Sequence, residues 1–267
     1  WPISHSRSPI LHGYWLREYG IDGAYLPFAV NSANLETALR ALPALGIAGT
    51  NLTLPHKEAA LETCDRIDET ARRIGAVNTV VVEEDGSLTG SNTDAFGFLE
   101  NLKRESNWCA EDGPAVVLGA GGAARAVVAA LIDDGVKNIR ILNRNLGRAT
   151  TLAATFGENC HAANLTDAVE AIQDAALLVN TTTLGMKGQP PLDLSLDTLP
   201  INAIVNDIVY VPLQTDLLRT ALARGNKVVD GLGMLLHQAR PGFVSWFGFE
   251  AEVTNGLRDI VLQDLRR

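Results

Sequence analysis

Residues 114–126, PAVVLGAGGAARA, constrain the fold of this chain more than any other stretch. A short apolar run, Ala115–Leu118, leads directly into a glycine-rich turn and then into an apolar segment with helical character. Gly119, Gly121 and Ala124 occupy the three positions of G-x-G-x-x-G/A, in which backbone N–H groups approach a pyrophosphate at a helix N-terminus. Because strand and helix flank the turn in the correct order, it predicts a dinucleotide-binding, Rossmann-type sheet.

Strands and helices alternate along nearly the whole chain, which predicts mostly parallel α/β sheets. Before residue 94 the patterns predict helices at 9–19, 35–45 and 65–75 and after Pro55, strands at 24–30 and 47–53, and a hairpin of 77–82 with 87–90. A linking helix at 94–103 is followed by strands at 115–118, 138–142, 176–180, 203–207 and 227–229. The helices between them are expected at 122–133, 147–156, 167–173 and 215–223.

Two closing helices, at 232–247 and 253–265, have no further strand to follow and are expected to return to the first half. The chain of 267 residues is long enough for two domains. We therefore expect a doubly wound, Rossmann-type domain at 94–231 and a discontinuous α/β domain at 1–93 and 232–267. A cleft between two such domains is the usual place for a small ligand.

Composition excludes several classes of partner and site. A net charge of −9 argues against nucleic acid, and no apolar run reaches the ~18 residues that span a membrane. The three cysteines form no CxxC pair and the histidines show no paired spacing, so we expect no metal site and a reducing, cytoplasmic environment. The chain shows no signal peptide, and it starts at Trp1 without an initiator Met, so we expect further residues upstream.

The end of the strand after the glycine turn indicates which dinucleotide binds. About 20 residues past such a turn, an NAD site offers an Asp or Glu to the ribose 2′-hydroxyl. Here Asn143 and Arg144 occupy that place, and Arg148 follows one helical turn later. Two solvated surface arginines are the alternative. Guanidinium groups at this position suit a 2′-phosphate, so the pattern favours NADP.

Ser6 and Ser8 lie two residues apart before a predicted helix, where hydroxyl groups in an extended segment point the same way. Two O–H donors beside a helix N-terminus suit a carboxylate. Alternatively, Ser8 is only the N-cap of that helix and Ser6 a turn residue. Spacing alone favours the capping role.

Thr53 and Lys57 follow a predicted strand, at the end of a parallel sheet where ligands gather. An isolated lysine is more often a solvated surface residue than a catalytic one. His56, beside it, is predicted to pack or to form a hydrogen bond rather than to act as the acid.

Asn78, Asp94 and Gln238 are the remaining polar candidates. Asn78 lies beside the predicted hairpin and Asp94 at the junction of the two domains. N-capping of the next helix is the alternative for Asp94, a role that Thr93 could share. A buried Gln238 on a helix facing the cleft would need a partner, which a substrate hydroxyl could supply.

Six separated motifs occur in order along essentially the whole chain: PISHSRSP, NLTLPHK, GAVNT, SNTDAFG, GAGGAAR followed by NR, and DGLGMLLHQA. Together they resemble the shikimate dehydrogenase family, NADP-dependent enzymes of aromatic amino-acid biosynthesis. The resemblance implies reversible reduction of 3-dehydroshikimate to shikimate by NADPH, in a cytoplasmic protein that is a monomer or a homodimer. It also gives the discontinuous domain the substrate and the Rossmann-type domain the cofactor.

The resemblance further implies roles for single residues. It makes Lys57 and Asp94 the catalytic pair, with Lys57 as the general acid. The substrate is assigned to Ser6, Ser8, Thr53, Asn78, Tyr210 and Gln238, the two serines taking the carboxylate. NADP is assigned to Gly119, Gly121, Gly122, Ala123, Asn143, Arg144, Arg148, Thr181, Thr182 and Gly231.

The chain departs from the family pattern at Asn145, often Thr, and at Ile208, often Met, and the family's strand before PISHS is absent from this sequence.

One alternative function is a dual quinate/shikimate dehydrogenase, although Ser8 in place of Thr favours shikimate. Another is a non-catalytic NADP-binding regulatory protein, which would be expected to have lost Lys57 or Asp94. This chain has both.

Overall fold

A computed structural model describes residues 1–4 and 6–266. Its helices are α1 Ser8–Glu18, α2 Leu35–Ala41, α3 Ala60–Thr63, α4 Glu69–Ile74, α5 Asp94–Glu105, α6 Gly122–Asp133, α7 Leu146–Phe156, α8 Ala168–Ala171, α9 Asp216–Arg224, α10 Leu232–Phe247 and α11 Asn255–Leu265. Its strands are β1 Gly49–Asn51, β2 Arg66–Ile67, β3 Thr79–Val82, β4 Leu88–Ser91, β5 Ala115–Leu118, β6 Ile139–Asn143, β7 Cys160–Asn164, β8 Leu177–Asn180, β9 Ile204–Asp207 and β10 Lys227–Val229. Short 3₁₀ turns lie at Ser32–Asn34, Pro43–Leu45, Ala110–Asp112 and Leu165–Asp167.

The chain packs as two compact units. One, the split unit, contains Trp1–Thr93 and Leu236–Arg267, and the other, the continuous unit, contains Asp94–Leu235. Helix α10 therefore begins in the continuous unit and continues in the split unit.

The continuous unit is built on six parallel strands in the order β10-β9-β8-β5-β6-β7. Counted from β5, this is the doubly wound order 3-2-1-4-5-6. The order in which the strands are added to the sheet reverses between β5 and β8. All residues of β5, β8 and β9 are buried, as expected of strands covered on both faces. The predicted Rossmann-type sheet is confirmed.

The split unit contains a mixed sheet in the order β1-β3-β4-β2. The prediction of a mostly parallel sheet is wrong here, because β3 pairs antiparallel with both β1 and β4. The predicted hairpin joins β3 to β4, and Gly86 turns it with a φ of 80°. Only β2 and β4 run parallel.

Predicted and observed elements differ at three places: a segment predicted to be a strand is not one, a helix begins later than predicted, and one strand was missed. Residues 24–30 lie in no strand of the described chain, and Leu26 and Phe28 there are 62% and 58% exposed. Apolar alternation favours an extended backbone but cannot supply the neighbour that a strand requires. The predicted helix at 65–75 begins only at Glu69, because Asp68 caps it by accepting a hydrogen bond from Ala71 N at 2.6 Å. Strand β7, CHAAN, was missed because it lacks β-branched and aromatic residues.

Helix α10 packs closely against the small sheet of the split unit. Trp246 Nε1 donates a hydrogen bond to Val80 O at 3.1 Å. A Cβ at Gly49 would lie 2.1 Å from that indole nitrogen, so β1 needs a glycine at the contact. The same face of α10 carries Phe243, which packs edge-on against Trp15 of α1 with ring centroids 5.1 Å apart. The first closing helix thus completes the core of the split unit.

Candidate functional site

The glycine turn after β5 is shaped by two different constraints. Gly119 has a φ of +113°, and a Cβ there would lie 2.6 Å from Thr181 Oγ1. At Gly121 and Gly122, by contrast, an added Cβ would have no atom of the described chain within 4 Å. The first glycine is therefore required by the fold itself, whereas the next two leave open space above the turn.

That open space lies at the N-terminus of α6. Gly121 is the N-cap residue, and in the described chain no side chain caps it. The first turn, which includes Gly122 and Ala123, carries no acidic residue. Uncapped N–H groups at the positive end of a 12-residue helix favour an anion. Open glycines beside such donors fit the pyrophosphate of a dinucleotide.

The segment after β6 carries the two arginines predicted to select NADP. Asn143 Nδ2 donates to Asn145 O at 2.9 Å, which shapes the turn between β6 and α7. Asn145 caps α7 by accepting a hydrogen bond from Arg148 N at 3.3 Å. The residue that departs from the family pattern therefore has a structural role as a cap. Arg144 and Arg148 are both exposed, so their guanidinium groups are accessible to a ligand.

Thr181 and Thr182 follow β8 and form the opposite side of the glycine turn. Thr181 Oγ1 donates to Leu118 O at 2.6 Å, which ties the end of β8 to the end of β5. Thr182 Oγ1 donates to Asn180 Oδ1 at 2.7 Å and accepts from Leu184 N at 3.1 Å. Both hydroxyl protons are used inside the loop, so these residues set its backbone.

Gly231 is fixed by a close backbone approach. A Cβ there would lie 2.2 Å from Ile208 O and 2.3 Å from Ile208 C. Because backbone atoms cannot move aside as a side chain can, the turn before α10 and the loop after β9 tolerate only glycine at this contact. Tyr210, in the same loop, is half-buried.

Asp207 is a buried carboxyl group at the end of β9 that the sequence did not single out. Its Oδ1 accepts from Asn180 Nδ2 and from Val209 N, each at 3.0 Å, and its Oδ2 accepts from Thr215 Oγ1 at 2.7 Å. Burial raises the pKa of Asp207 to about 6, against the lowering effect of these hydrogen bonds. Asp207 thereby joins the loops after β8 and β9 to the start of α9.

In the split unit, a polar network surrounds Asn78, which is 2% exposed. Asn78 Nδ2 donates to Thr93 Oγ1 at 3.0 Å and to Gln238 Oε1 at 3.4 Å. Asn78 Oδ1 accepts from Thr93 N at 2.9 Å. Two of the predicted substrate residues, Asn78 and Gln238, are thus brought into direct contact although they lie 160 positions apart.

The network continues to residues that sequence reasoning missed. Thr79 Oγ1 donates to Asn78 Oδ1 at 2.9 Å, and Asn51 Nδ2 donates to Thr79 Oγ1 at 3.0 Å. Tyr25 OH donates to Asn51 Oδ1 at 2.7 Å. Asn51 and Thr79 belong to the motifs NLTLPHK and GAVNT, and these motifs could have identified them as site residues. No sequence motif marked Tyr25, which was only part of a predicted strand.

Ser6 and Ser8 are arranged around the start of α1. The helix begins at Ser8 and not at Pro9, and the N-cap position is Arg7, so the prediction that Ser8 is the N-cap is wrong. Ser6 Oγ accepts a hydrogen bond from Ser8 N at 3.3 Å, which is the turn role that the alternative gave it. Arg7, between them, forms an ion pair with Asp264 of α11 at 2.8 Å.

Thr53 and Lys57 lie in the turn after β1. Thr53 O accepts from His56 N at 2.9 Å, and Lys57 O accepts from Val77 N at 2.7 Å. His56 is buried and its Nε2 lies 2.8 Å from Val30 O, which confirms its predicted hydrogen-bonding role. The side chains of Thr53 and Lys57 are half-buried. Asp94, also half-buried, is the first residue of α5 in the continuous unit.

Within the described ranges, no group of three or more His, Cys, Asp or Glu side chains is arranged to hold a metal ion. Over those same residues, none of the helices is both long enough and apolar enough to cross a membrane.

Two family models match the chain. One, described as the shikimate dehydrogenase substrate binding domain, matches residues 1–80. The other, described as shikimate / quinate 5-dehydrogenase, matches residues 102–185. The chain belongs to the shikimate dehydrogenase family.

Members of this family resemble the chain over nearly its whole length. Shikimate dehydrogenase (NADP(+)) of Paramagnetospirillum magneticum is 60% identical over 263 residues, which cover 98% of this chain and 95% of the relative. The solved shikimate 5-dehydrogenase of Thermus thermophilus, in complex with NADP(H) and shikimate, is 39% identical with a TM-score of 0.87, over 98% of this chain and 96% of that one. Quinate dehydrogenase of Corynebacterium glutamicum, in complex with NAD, is 32% identical with a TM-score of 0.90, over 97% and 95%.

Proposed function

We propose that this chain catalyses the reversible reduction of 3-dehydroshikimate to shikimate with NADPH, a step of aromatic amino-acid biosynthesis. The observation that carries the proposal is the 60% identity, over 98% of the chain, to a protein named for this activity and cofactor. The open glycine turn of the continuous unit and the polar network of the split unit are features that such a reaction requires.

The two parts of the chain take different roles in this proposal. Residues 1–93 and 232–267 bind the substrate, and residues 94–231 bind NADP. A match of residues 1–80 to a substrate binding domain supports the first assignment. The doubly wound strand order supports the second, because a dinucleotide binds where that order reverses.

For the cofactor, we assign the pyrophosphate to Gly119, Gly121, Gly122 and Ala123 at the start of α6. The N–H groups of the last three are the donors, because Gly119 N already donates to Leu142 O at 2.7 Å and Gly119 serves to turn the chain. The 2′-phosphate is assigned to Asn143, Arg144 and Arg148, since two exposed guanidinium groups complement its charge. Thr181, Thr182 and Gly231 line the nicotinamide side. When bound, NADPH supplies the hydride.

For the substrate, we assign the carboxylate to Ser6 and Ser8. The ring hydroxyls are assigned to Thr53, Asn78 and Gln238, with Tyr210 as a further contact. The contact between Asn78 and Gln238 supports a shared role, because both amides are already oriented by their mutual hydrogen bond.

Lys57 and Asp94 form the catalytic pair. As the carbonyl carbon is reduced, negative charge develops on its oxygen. The ammonium group of Lys57 stabilises that charge and donates the proton that completes the hydroxyl group. In the reverse direction the neutral amine of Lys57 takes the proton back. Asp94 accepts a hydrogen bond from a neighbouring ring hydroxyl and so orients the reacting carbon.

The direct test is the absorbance of NADPH in mixtures of the protein with shikimate and NADP. We expect NADPH to form with this pair and much more slowly with quinate and NAD. Comparable rates with both pairs would favour the dual quinate/shikimate alternative, for which the likeness to a quinate dehydrogenase is the relevant observation. Binding of NADP without turnover of either acid would favour the non-catalytic alternative.

We propose a cytoplasmic location, which free thiols at Cys64, Cys109 and Cys160 support because a reducing compartment keeps thiols unpaired. We also propose that the protein acts on small molecules as a monomer or a homodimer.

A further inference from the structure

One chain of hydrogen bonds within the split unit leads to Asn78, a residue proposed for the ring hydroxyls of the substrate. It starts at Tyr25 OH, which donates to Asn51 Oδ1 at 2.7 Å. From Asn51 it passes through Thr79 to Asn78, at 3.0 and 2.9 Å. Asn78 is therefore connected to Tyr25 and Asn51, two residues to which no role in binding has been assigned above.

Each bond along this chain has one donor and one acceptor. Tyr25 OH gives its proton to Asn51 Oδ1. The amide of Asn51 is held from both ends, since its Nδ2 donates to Thr79 Oγ1 at 3.0 Å and to Asn78 O at 3.2 Å. Thr79 in turn gives its proton to Asn78 Oδ1, which leaves Asn78 Nδ2 to face Gln238 Oε1. Rotation of one member would cost its neighbour a hydrogen bond.

Tyr25 is held where this chain needs it. Most of the segment around it is exposed, yet Tyr25 turns inward and stacks on His12, with ring centroids 4.1 Å apart and an interplanar angle of 4°. His12 is fully buried, and its burial lowers its pKa to about 3 although the Asn51 side chain opposes the shift. The imidazole therefore stays neutral near pH 7 and offers the phenol ring a constant surface.

We propose that Tyr25 and Asn51 are positioning residues for the substrate, which hold Asn78 in the orientation that binds shikimate. The proposal rests on the function proposed above, in particular on the assignment of Asn78 to the substrate. Neither residue touches the reacting atoms. Their effect is therefore on the affinity for shikimate, not on the chemical step.

The test is Tyr25→Phe, which keeps the ring on His12 and removes only the hydroxyl group. We expect KM for shikimate to rise about 5- to 30-fold, the effect of leaving Asn51 Oδ1 without the donor that holds the amide in place. We also expect kcat and KM for NADP to change by less than about twofold, because the chemical step and the cofactor are untouched. Tyr14→Phe is the matched control, since Tyr14 OH lies on α1 and bonds to exposed Thr254 Oγ1 at 3.3 Å. That control should leave all three constants unchanged.

A second variant breaks the chain further along. Thr79→Val keeps the methyl group that faces Gly242 and removes the hydroxyl between Asn51 and Asn78. We expect it to raise KM for shikimate by a similar factor. If either variant lowered the thermal midpoint and left KM unchanged, its hydroxyl group would be purely structural and the proposal would be overturned.

Asn78→Ala separates failure of this proposal from failure of the assigned site. If Asn78→Ala leaves KM for shikimate unchanged, the assignment of Asn78 to the substrate is itself wrong. If Asn78→Ala raises KM but Tyr25→Phe does not, the assignment stands and the positioning role is wrong. If both raise it, the double variant should cost much less than the product of the two effects, because Tyr25 acts through Asn78.

Discussion

Lys57 sits in a turn whose backbone is fixed, since its carbonyl accepts a hydrogen bond from Val77 N at 2.7 Å and its side chain is half-buried. A lysine held at its backbone but partly accessible can reach a substrate oxygen without losing all contact with water. Arg144 is different, because it is exposed at the end of β6 and owes its proposed role to charge alone. Single residues in this chain thus act either through a fixed position or through charge.

Lys57→Ala is expected to lower kcat by ~10²–10⁴, the range typical of losing a general acid, with little change in KM. Steady-state kinetics in both directions would measure it. A variant with near-normal kcat would remove Lys57 from the mechanism, and a raised KM with normal kcat would make it a binding residue.

Arg144→Ala is expected to weaken NADP binding by about 10- to 100-fold, as for loss of a hydrogen bond between charged groups, and to affect NAD far less. Titration calorimetry with both nucleotides would show it. Arg104→Ala, at an exposed arginine of α5, serves as the control for a simple loss of positive charge. Equal losses for NADP and NAD would reject the 2′-phosphate assignment.

At the scale of elements, the ends of three neighbouring strands form one framework in the continuous unit. Thr181 ties the end of β8 to β5, Asp207 ties the ends of β8 and β9 to α9, and Gly231 lets the turn before α10 approach the loop after β9. The glycine turn is built into this framework at Gly119 and is open at Gly121. The fold therefore constrains Gly119, whereas the open position at Gly121 is left for the proposed pyrophosphate site.

Gly121→Ala is expected to leave the protein folded, with a free energy of unfolding changed by less than about 1 kcal/mol. Its backbone angles suit alanine, and the resulting gain is offset because alanine is a poorer N-cap residue than glycine. NADP binding should weaken by at least about tenfold, or 1.4 kcal/mol, since the new methyl group occupies the open space above the turn. Urea unfolding and calorimetry would measure the two effects.

Gly119→Ala is the matched comparison for that variant. Its added Cβ would lie 2.6 Å from Thr181 Oγ1 at a φ of +113°, so it should cost roughly 1–3 kcal/mol of stability. If both alanines destabilised the protein equally, the division of roles within the turn would be wrong.

For the whole molecule, buried titratable groups make stability depend on pH. The pKa of Asp207 is raised from 3.8 to about 6 by burial, so between these values the folded chain binds more protons than the unfolded chain. The free energy of unfolding therefore falls as the pH rises through this window. His12 acts in the opposite sense, because its pKa is lowered from 6.5 to about 3 and the unfolded chain is the one that binds protons there.

Asp207→Asn is expected to remove the contribution of Asp207 to the pH dependence of the free energy of unfolding. For a shift of this size, that contribution is at most about 3 kcal/mol between pH 4 and 6. The stability of the variant relative to the unmodified protein should thus increase from pH 4 to pH 6 and stay level above it. Urea unfolding at several pH values would give the difference. Asp193→Asn, at an exposed carboxylate of the same unit, should show no such trend.

The sequence by itself determined the features that depend on local order. The run of strand, glycines and helix at residues 114–126, the hairpin at Gly86 and the alternation of later strands and helices predicted elements that are observed, with β7 as the strand that was missed. Apolar periodicity and glycine conformation act over a few residues, so they can be inferred from a few residues. The motifs around Asn78 and Gln238 also named residues that the fold brings into contact.

Only the tertiary structure decided which distant groups share a hydrogen bond. The antiparallel pairing of β1 with β3, the buried contacts of Asp207 and the chain from Tyr25 through Asn51 to Asn78 join positions separated by up to dozens of residues. Strand pairing and burial are properties of neighbours in space, and a buried polar group reveals its role only through the partner that satisfies it. The sequence placed Tyr25 only in a predicted strand, and its hydrogen bond to Asn51 is what connects it with the proposed site.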